Sequence, residues 1–101
     1  MEYSSTINGS NCELGFRGKF AFSDNETVQK LITELKSSSC TSCSINLSGL
    51  ETIDSAGLGM LLLINDAIQE DGKTVELHSA TGQVQKMLEI SKFSEVISIR
   101  S

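Results

Sequence analysis

The chain contains no proline. That excludes a cis-proline loop and a proline-rich linker. Long apolar runs are also missing. The longest, Ala56 to Ile64, is far short of the roughly 20 residues a helical membrane span needs. No basic run or basic stripe interleaved with aromatics occurs, and the net charge is −5. Acidity of this kind argues against nucleic acid or anionic lipid as the main partner. The first ten residues, MEYSSTINGS, have neither a basic n-region nor an apolar h-region, so they do not read as a secretory signal. Cysteine is sparse and odd in number, with Cys12, Cys40 and Cys43. Three thiols cannot all pair within one chain, and reduced thiols in a cytoplasm are the expectation. No internal repeat, low-complexity segment or interdomain linker appears. The 101 residues make one modest domain with one core.

What is present is a regular alternation of strand and helix patterns. Leu14, Phe16 and Phe20 alternate with polar residues, which predicts a strand over 12–20. A short partner strand near 3–7 is turned back by Asn8-Gly9-Ser10. Ser23 with Glu26 three residues on forms a capping-box pattern. Val28, Leu31, Ile32 and Leu35 follow at helical spacing, and that helix ends near Ser37. Ile45 and Leu47 alternate with Ser44, Asn46 and Ser48, giving another strand. Asp54 or Ser55 caps a second helix that runs to about Asp71 and stops at Gly72. Val75 and Leu77 mark a strand. Thr81 is placed to cap a third helix with Val84, Met87 and Leu88 inward. Val96, Ile97 and Ile99 give a last strand.

This order implies an α/β domain with a mainly parallel sheet of four or five strands and right-handed crossovers. Strands buried on both faces read as unbroken apolar runs. These alternate, so helices are expected chiefly on one face and a more polar surface on the other.

The segment Asp54-Ser55-Ala56-Gly57-Leu58-Gly59-Met60 concentrates the chemistry. Capping alone accounts for Asp54. It accounts poorly for Gly59, which lies beyond the strand-to-helix turn in a position where glycine costs about 1 kcal/mol relative to alanine. A hydroxyl at a helix N-terminus is well placed to carry phosphate, because free N–H groups and the macrodipole stabilise negative charge there. Glycines let a partner's backbone approach.

Other motifs dissolve on inspection. The hydrolase elbow G-x-S-x-G would need glycine at 53, where Ile53 stands, and His78 is the sole histidine to serve as a base. Cys40-x-x-Cys43 suggests redox chemistry, but it follows a helix and precedes a strand, the reverse of the thioredoxin context. Zinc would need four ligands, and Cys12, Cys40, Cys43 and His78 contain only one pair close in sequence. Ala67-x-x-x-x-Gly72-Lys73-Thr74 resembles a phosphate loop, but it runs helix to strand, backwards for that motif. No metal, cofactor or catalytic residue is assigned.

The string "DSAGLG", with "INLSGLETI" before it and "DGKTVELHSATGQVQKMLEISKF" after, resembles the STAS domain of bacterial anti-sigma factor antagonists. The resemblance covers roughly 13–100, leaving 1–12 as an N-terminal strand or extension. It implies a cytoplasmic, non-enzymatic phosphoprotein that regulates transcription by partner switching. An anti-sigma factor that is also a serine kinase would bind the unphosphorylated form and phosphorylate Ser55, and a PP2C-type phosphatase would reverse the modification. Asp54, Ser55, Ala56, Gly57, Leu58, Gly59 and Met60 would form the partner-binding patch. Many relatives carry a Gly-x-Leu-Asp element after the second strand. This chain has Gly18-Lys19-Phe20-Ala21 there, with Asp24 further on as a helix-start residue. Two other classes stay open. One is a non-phosphorylated STAS-like regulatory subunit of a transporter ATPase, and the other a thiol oxidoreductase using Cys40 and Cys43.

Overall fold

A computed structural model describes residues 1–100. Strands β1 (Glu2–Asn8) and β2 (Asn11–Phe20) form an antiparallel hairpin, and Gly9 takes a positive φ of 65° in its two-residue turn. Helix α1 (Asn25–Ser37) leads to β3 (Ser42–Ile53), α2 (Ser55–Glu70) to β4 (Thr74–His78), and α3 (Gly82–Ile90) to β5 (Ser98–Arg100). The spatial order is β1-β2-β3-β4-β5, parallel from β2 onward. Each crossover steps the same way, so right-handed connections place the helices over one face.

The core records this one-sided packing. Cys12, Leu14 and Phe16 of β2, Cys43, Ile45 and Leu47 of β3, and Val75 and Leu77 of β4 are buried. They meet Val28, Leu31 and Leu35 of α1, Leu61, Ile64 and Ile68 of α2, and Val84 and Leu88 of α3 within one apolar cluster. Between them stand Glu13, Ser44, Asn46, Glu76 and His78, which are exposed or half-buried on the bare sheet face. Phe16 and Phe20 meet edge to face, with ring centroids 5.7 Å apart.

Three local expectations need correction. The Ser23–Glu26 box does not form. Residues Phe22–Asp24 make a 3-10 turn instead, and the Asp24 carboxylate accepts from the Ala21 N–H at 2.9 Å. Thr81 occupies the N-cap position of α3, but its side chain makes no capping bond. The last strand begins at Ser98, not Val96, because Phe93–Glu95 form a second 3-10 turn whose carbonyl at Phe93 takes the N–H groups of Val96 and Ile97.

Candidate functional site

Helix α2 starts where β3 ends, at the C-terminal edge of the parallel strands. In open α/β sheets this edge is where ligands and partners collect. Asp54 is extended and caps the helix, its Oδ1 accepting from Gly57 N–H at 2.8 Å. Its own N–H donates to Phe20 O, tying the corner to the end of β2. Ser55 is the first helical residue. It is exposed, and its hydroxyl makes no hydrogen bond among the described residues. No imidazole therefore activates it.

Residues 54–60 divide between surface and core. Asp54, Ser55 and Gly59 are exposed and Ala56 is half-buried, whereas Gly57, Leu58 and Met60 turn inward. The exposed patch is thus narrower than the seven residues expected from sequence. The two glycines part company for a physical reason. A Cβ on Gly57 would sit 2.6 Å from Ile53 Cγ1 and 2.7 Å from Phe20 O. Gly57 is glycine so that α2 can seat on the ends of β2 and β3. A Cβ on Gly59 would meet nothing within 4 Å, so packing gives no reason for glycine there.

Sequence reasoning missed three neighbours. Phe22 lies in the 3-10 turn that packs beside α2, and it is 75% exposed. Leu63, 42% exposed, is one turn beyond Gly59 and two beyond Ser55, so the three share a helix face. Gln83 of α3 grips the end of β3. Its Nε2 donates to Ile53 O, and its Oε1 accepts from Ile53 N–H, both at 2.9 Å. Strand β4 pairs with β3 only as far as Asn46. The amide of Gln83 thus supplies the pairing that a neighbouring strand would give further along. An exposed aromatic before α1 was the available signal for Phe22. Nothing local marked Gln83.

Asp24 does not present a carboxylate to a partner. It is buried and bonded to the Met1 ammonium at 2.6 Å. Burial pushes its carboxyl up, but the Met1 ammonium and the Ala21 N–H outweigh this and hold it below its usual range.

The cysteines and the reversed phosphate-loop string lie at the other end of the sheet. Lys73 Nζ donates to the Leu35 carbonyl and to Ser38 O at 3.0 Å, capping the C-terminus of α1, and it pairs with Asp71 at 3.3 Å. That role accounts for the lysine of the reversed phosphate-loop string. All three cysteines are free and buried. The close sulfur contact joins Cys12 to Cys40 at 2.8 Å. Burial, with Cys12 and Cys40 beside it, pushes the Cys43 thiol up to about 12. Among the described residues no group of three or more His, Cys, Asp or Glu side chains is arranged to hold a metal. His78 Nε2 lies 3.6 Å from Glu76, on the bare sheet face. Among the described residues no helix is long and apolar enough to cross a membrane.

Comparison with known proteins defines the fold class first. A protein from Thermotoga maritima described as an anti-sigma factor antagonist superposes with a TM-score of 0.85 at 20% identity, covering 98% of this chain and 86% of that one. The anti-sigma factor antagonist SpoIIAA in its unphosphorylated form gives 0.79 at 15% identity, covering 99% and 89%. The same determinant from Bacillus in its phosphorylated form gives 0.72 at 15%, covering 99% and 92%. A sulfate transporter family protein from Wolinella succinogenes gives 0.78 at 12%, covering 94% and 80%. At these identities the likeness is one of fold. No curated protein matches the sequence significantly. A family model described as "Mlab, STAS domain" matches residues 4–99, nearly the whole chain, and the chain belongs to that STAS family.

Proposed function

We propose that this domain is a phosphorylation-controlled protein-binding switch with Ser55 as its modified residue. The unphosphorylated form binds an anti-sigma factor with serine kinase activity. Phosphate on Ser55 ends that binding, and a PP2C-type phosphatase restores it. The cytoplasm is where the switch operates, and the chemistry of phosphoryl transfer resides in the partners. One observation carries the reading: an unengaged hydroxyl stands exposed at the first position of α2, one turn before a glycine that packing does not require. SpoIIAA, which shares the fold, is known in both an unphosphorylated and a phosphorylated form.

The physics of the switch follows from the site. Phosphate adds about −1.5 to −2 charges and three acceptor oxygens. It would stand beside Asp54 on a chain already at −5 and repel an acidic partner surface. It would also crowd the face along which Ser55, Gly59 and Leu63 lie. The helix itself tolerates the modification, since its N-terminus favours anions.

Ser55→Ala should fold and keep partner binding, whereas Ser55→Asp should weaken it at least about tenfold, or 1.4 kcal/mol. Co-purification identifies the partner, and titration calorimetry with each variant reads the difference. Equal affinities would refute the switch.

A second reading rests on the sulfate transporter family protein that shares the fold. In it, the same helix face seats a non-phosphorylated regulatory subunit on a transporter ATPase. Mass spectrometry after exposure to the cognate kinase separates the two: a phosphate on Ser55 supports the switch, and an unmodified serine supports the subunit.

A further inference from the structure

The cysteines lie at the opposite end of the sheet from Ser55. Cys12 opens β2 and pairs in register with Cys43 at the start of β3, while Cys40 sits in the loop between α1 and β3. Ten residues of β3 separate Cys43 from Ile53, roughly 30 Å of strand. The Cys12 and Cys40 sulfurs approach to 2.8 Å, and both residues are almost fully buried, at 4% and 3% exposure. A disulfide bond is about 2.05 Å long, so bonding requires the two sulfurs to close by less than about 1 Å. The backbone around them is already fixed by the N–H groups of Thr41 and Ser42, both of which donate to Ser10 O.

We infer that Cys12 and Cys40 form a reversible dithiol–disulfide couple, oxidised by hydroperoxide, that staples the β1–β2 hairpin to the α1–β3 loop. The balance is simple. With hydrogen peroxide, one thiolate attacks a peroxide oxygen, the O–O bond breaks, and water leaves once the departing hydroxide is protonated. The resulting sulfenic acid is attacked by the second sulfur. The S–S bond forms, the S–O bond breaks and a second water leaves. Two thiols are oxidised and one hydroperoxide is reduced. A dithiol reductant reverses the step by exchange.

Two features favour this pair over the Cys40-x-x-Cys43 motif. The close sulfur contact is with Cys12. Burial pushes up the thiols of both Cys12 and Cys43, but Cys43 furthest, to about 12, which makes it the poorer nucleophile.

The test uses the native full chain. It is incubated with hydrogen peroxide, quenched with catalase, denatured in iodoacetamide and digested with trypsin. The expected product is a crosslink between the peptide carrying Cys12 and the peptide carrying Cys40 and Cys43, with Cys43 alone alkylated. Dithiothreitol should return three alkylated cysteines. The oxidised protein should melt higher, by on the order of 10 °C. Three free thiols after oxidation, a Cys40–Cys43 link, a disulfide between chains, or a lower melting temperature would each overturn the proposal. Cys43→Ser should leave the crosslink intact, which keeps the claim testable if variants of the other two fold poorly.

Discussion

Two glycines two residues apart pull in opposite directions. Gly57 exists because a methyl group would press on Ile53 Cγ1 and Phe20 O. Gly57→Ala should therefore cost about 1–3 kcal/mol, the range for forcing extra volume into a packed contact. Gly59 faces open space inside a helix. Gly59→Ala should raise stability by roughly 0.5–1 kcal/mol, since alanine is the better helix former and loses less backbone entropy. Urea unfolding of the two variants measures both signs. If Gly59→Ala destabilised the fold, glycine would have a structural cause at 59 and the argument for a docking face would lose its footing. If it stabilises the fold while weakening partner binding, the bare backbone serves approach by another molecule.

Among the elements, the end of β3 is the least conventional. Beyond the reach of β4, the Ile53 N–H and C=O both bond to the Gln83 side chain. Gln83→Ala leaves both groups without that partner and should cost about 1–3 kcal/mol. Amide exchange at Ile53 should accelerate more than at Ile45, where flanking strands hold the backbone on both sides. Equal protection at Ile53 in both proteins would show that the amide contributes nothing. Elements as such were largely legible in the sequence, because apolar periodicity is local. β2, α1, α2 and β4 follow their patterns closely. β3 runs longer than its Ile45–Leu47 core because pairing with β2 recruits polar residues that carry no apolar signal. The last strand was displaced because Val96 and Ile97 are apolar yet lie in a turn, where only pairing with β4 decides what counts as strand.

For the molecule as a whole, what could not be read was long-range placement. The Asp54–Ser55 corner was legible since a cap and its first turn are neighbours in sequence. The inward turn of Gly57, Leu58 and Met60 was not, because Leu58 to Ile64 is apolar nearly all round and periodicity leaves its buried face undefined. The Cys12–Cys40 contact and the Met1–Asp24 pair depend on tertiary closure across 28 and 23 residues. That second pair clips the start of β1 to the start of α1 and sets a pH dependence for the entire fold. The folded-state carboxyl of Asp24 is held below its unfolded value of about 3.9. Its contribution is therefore fully present above that value and fades as pH falls through the depressed folded one. Asp24→Asn should lose roughly 1–3 kcal/mol at pH 7, the range for hydrogen bonds to a charged group. The gap between wild type and variant should hold steady from pH 7 to 5 and close below about pH 4. Urea denaturation across that range measures it. A gap that stayed constant down to pH 2 would mean the charge on Asp24 does not hold the two segments together, and the pairing would then owe its place to packing of Met1 against the core.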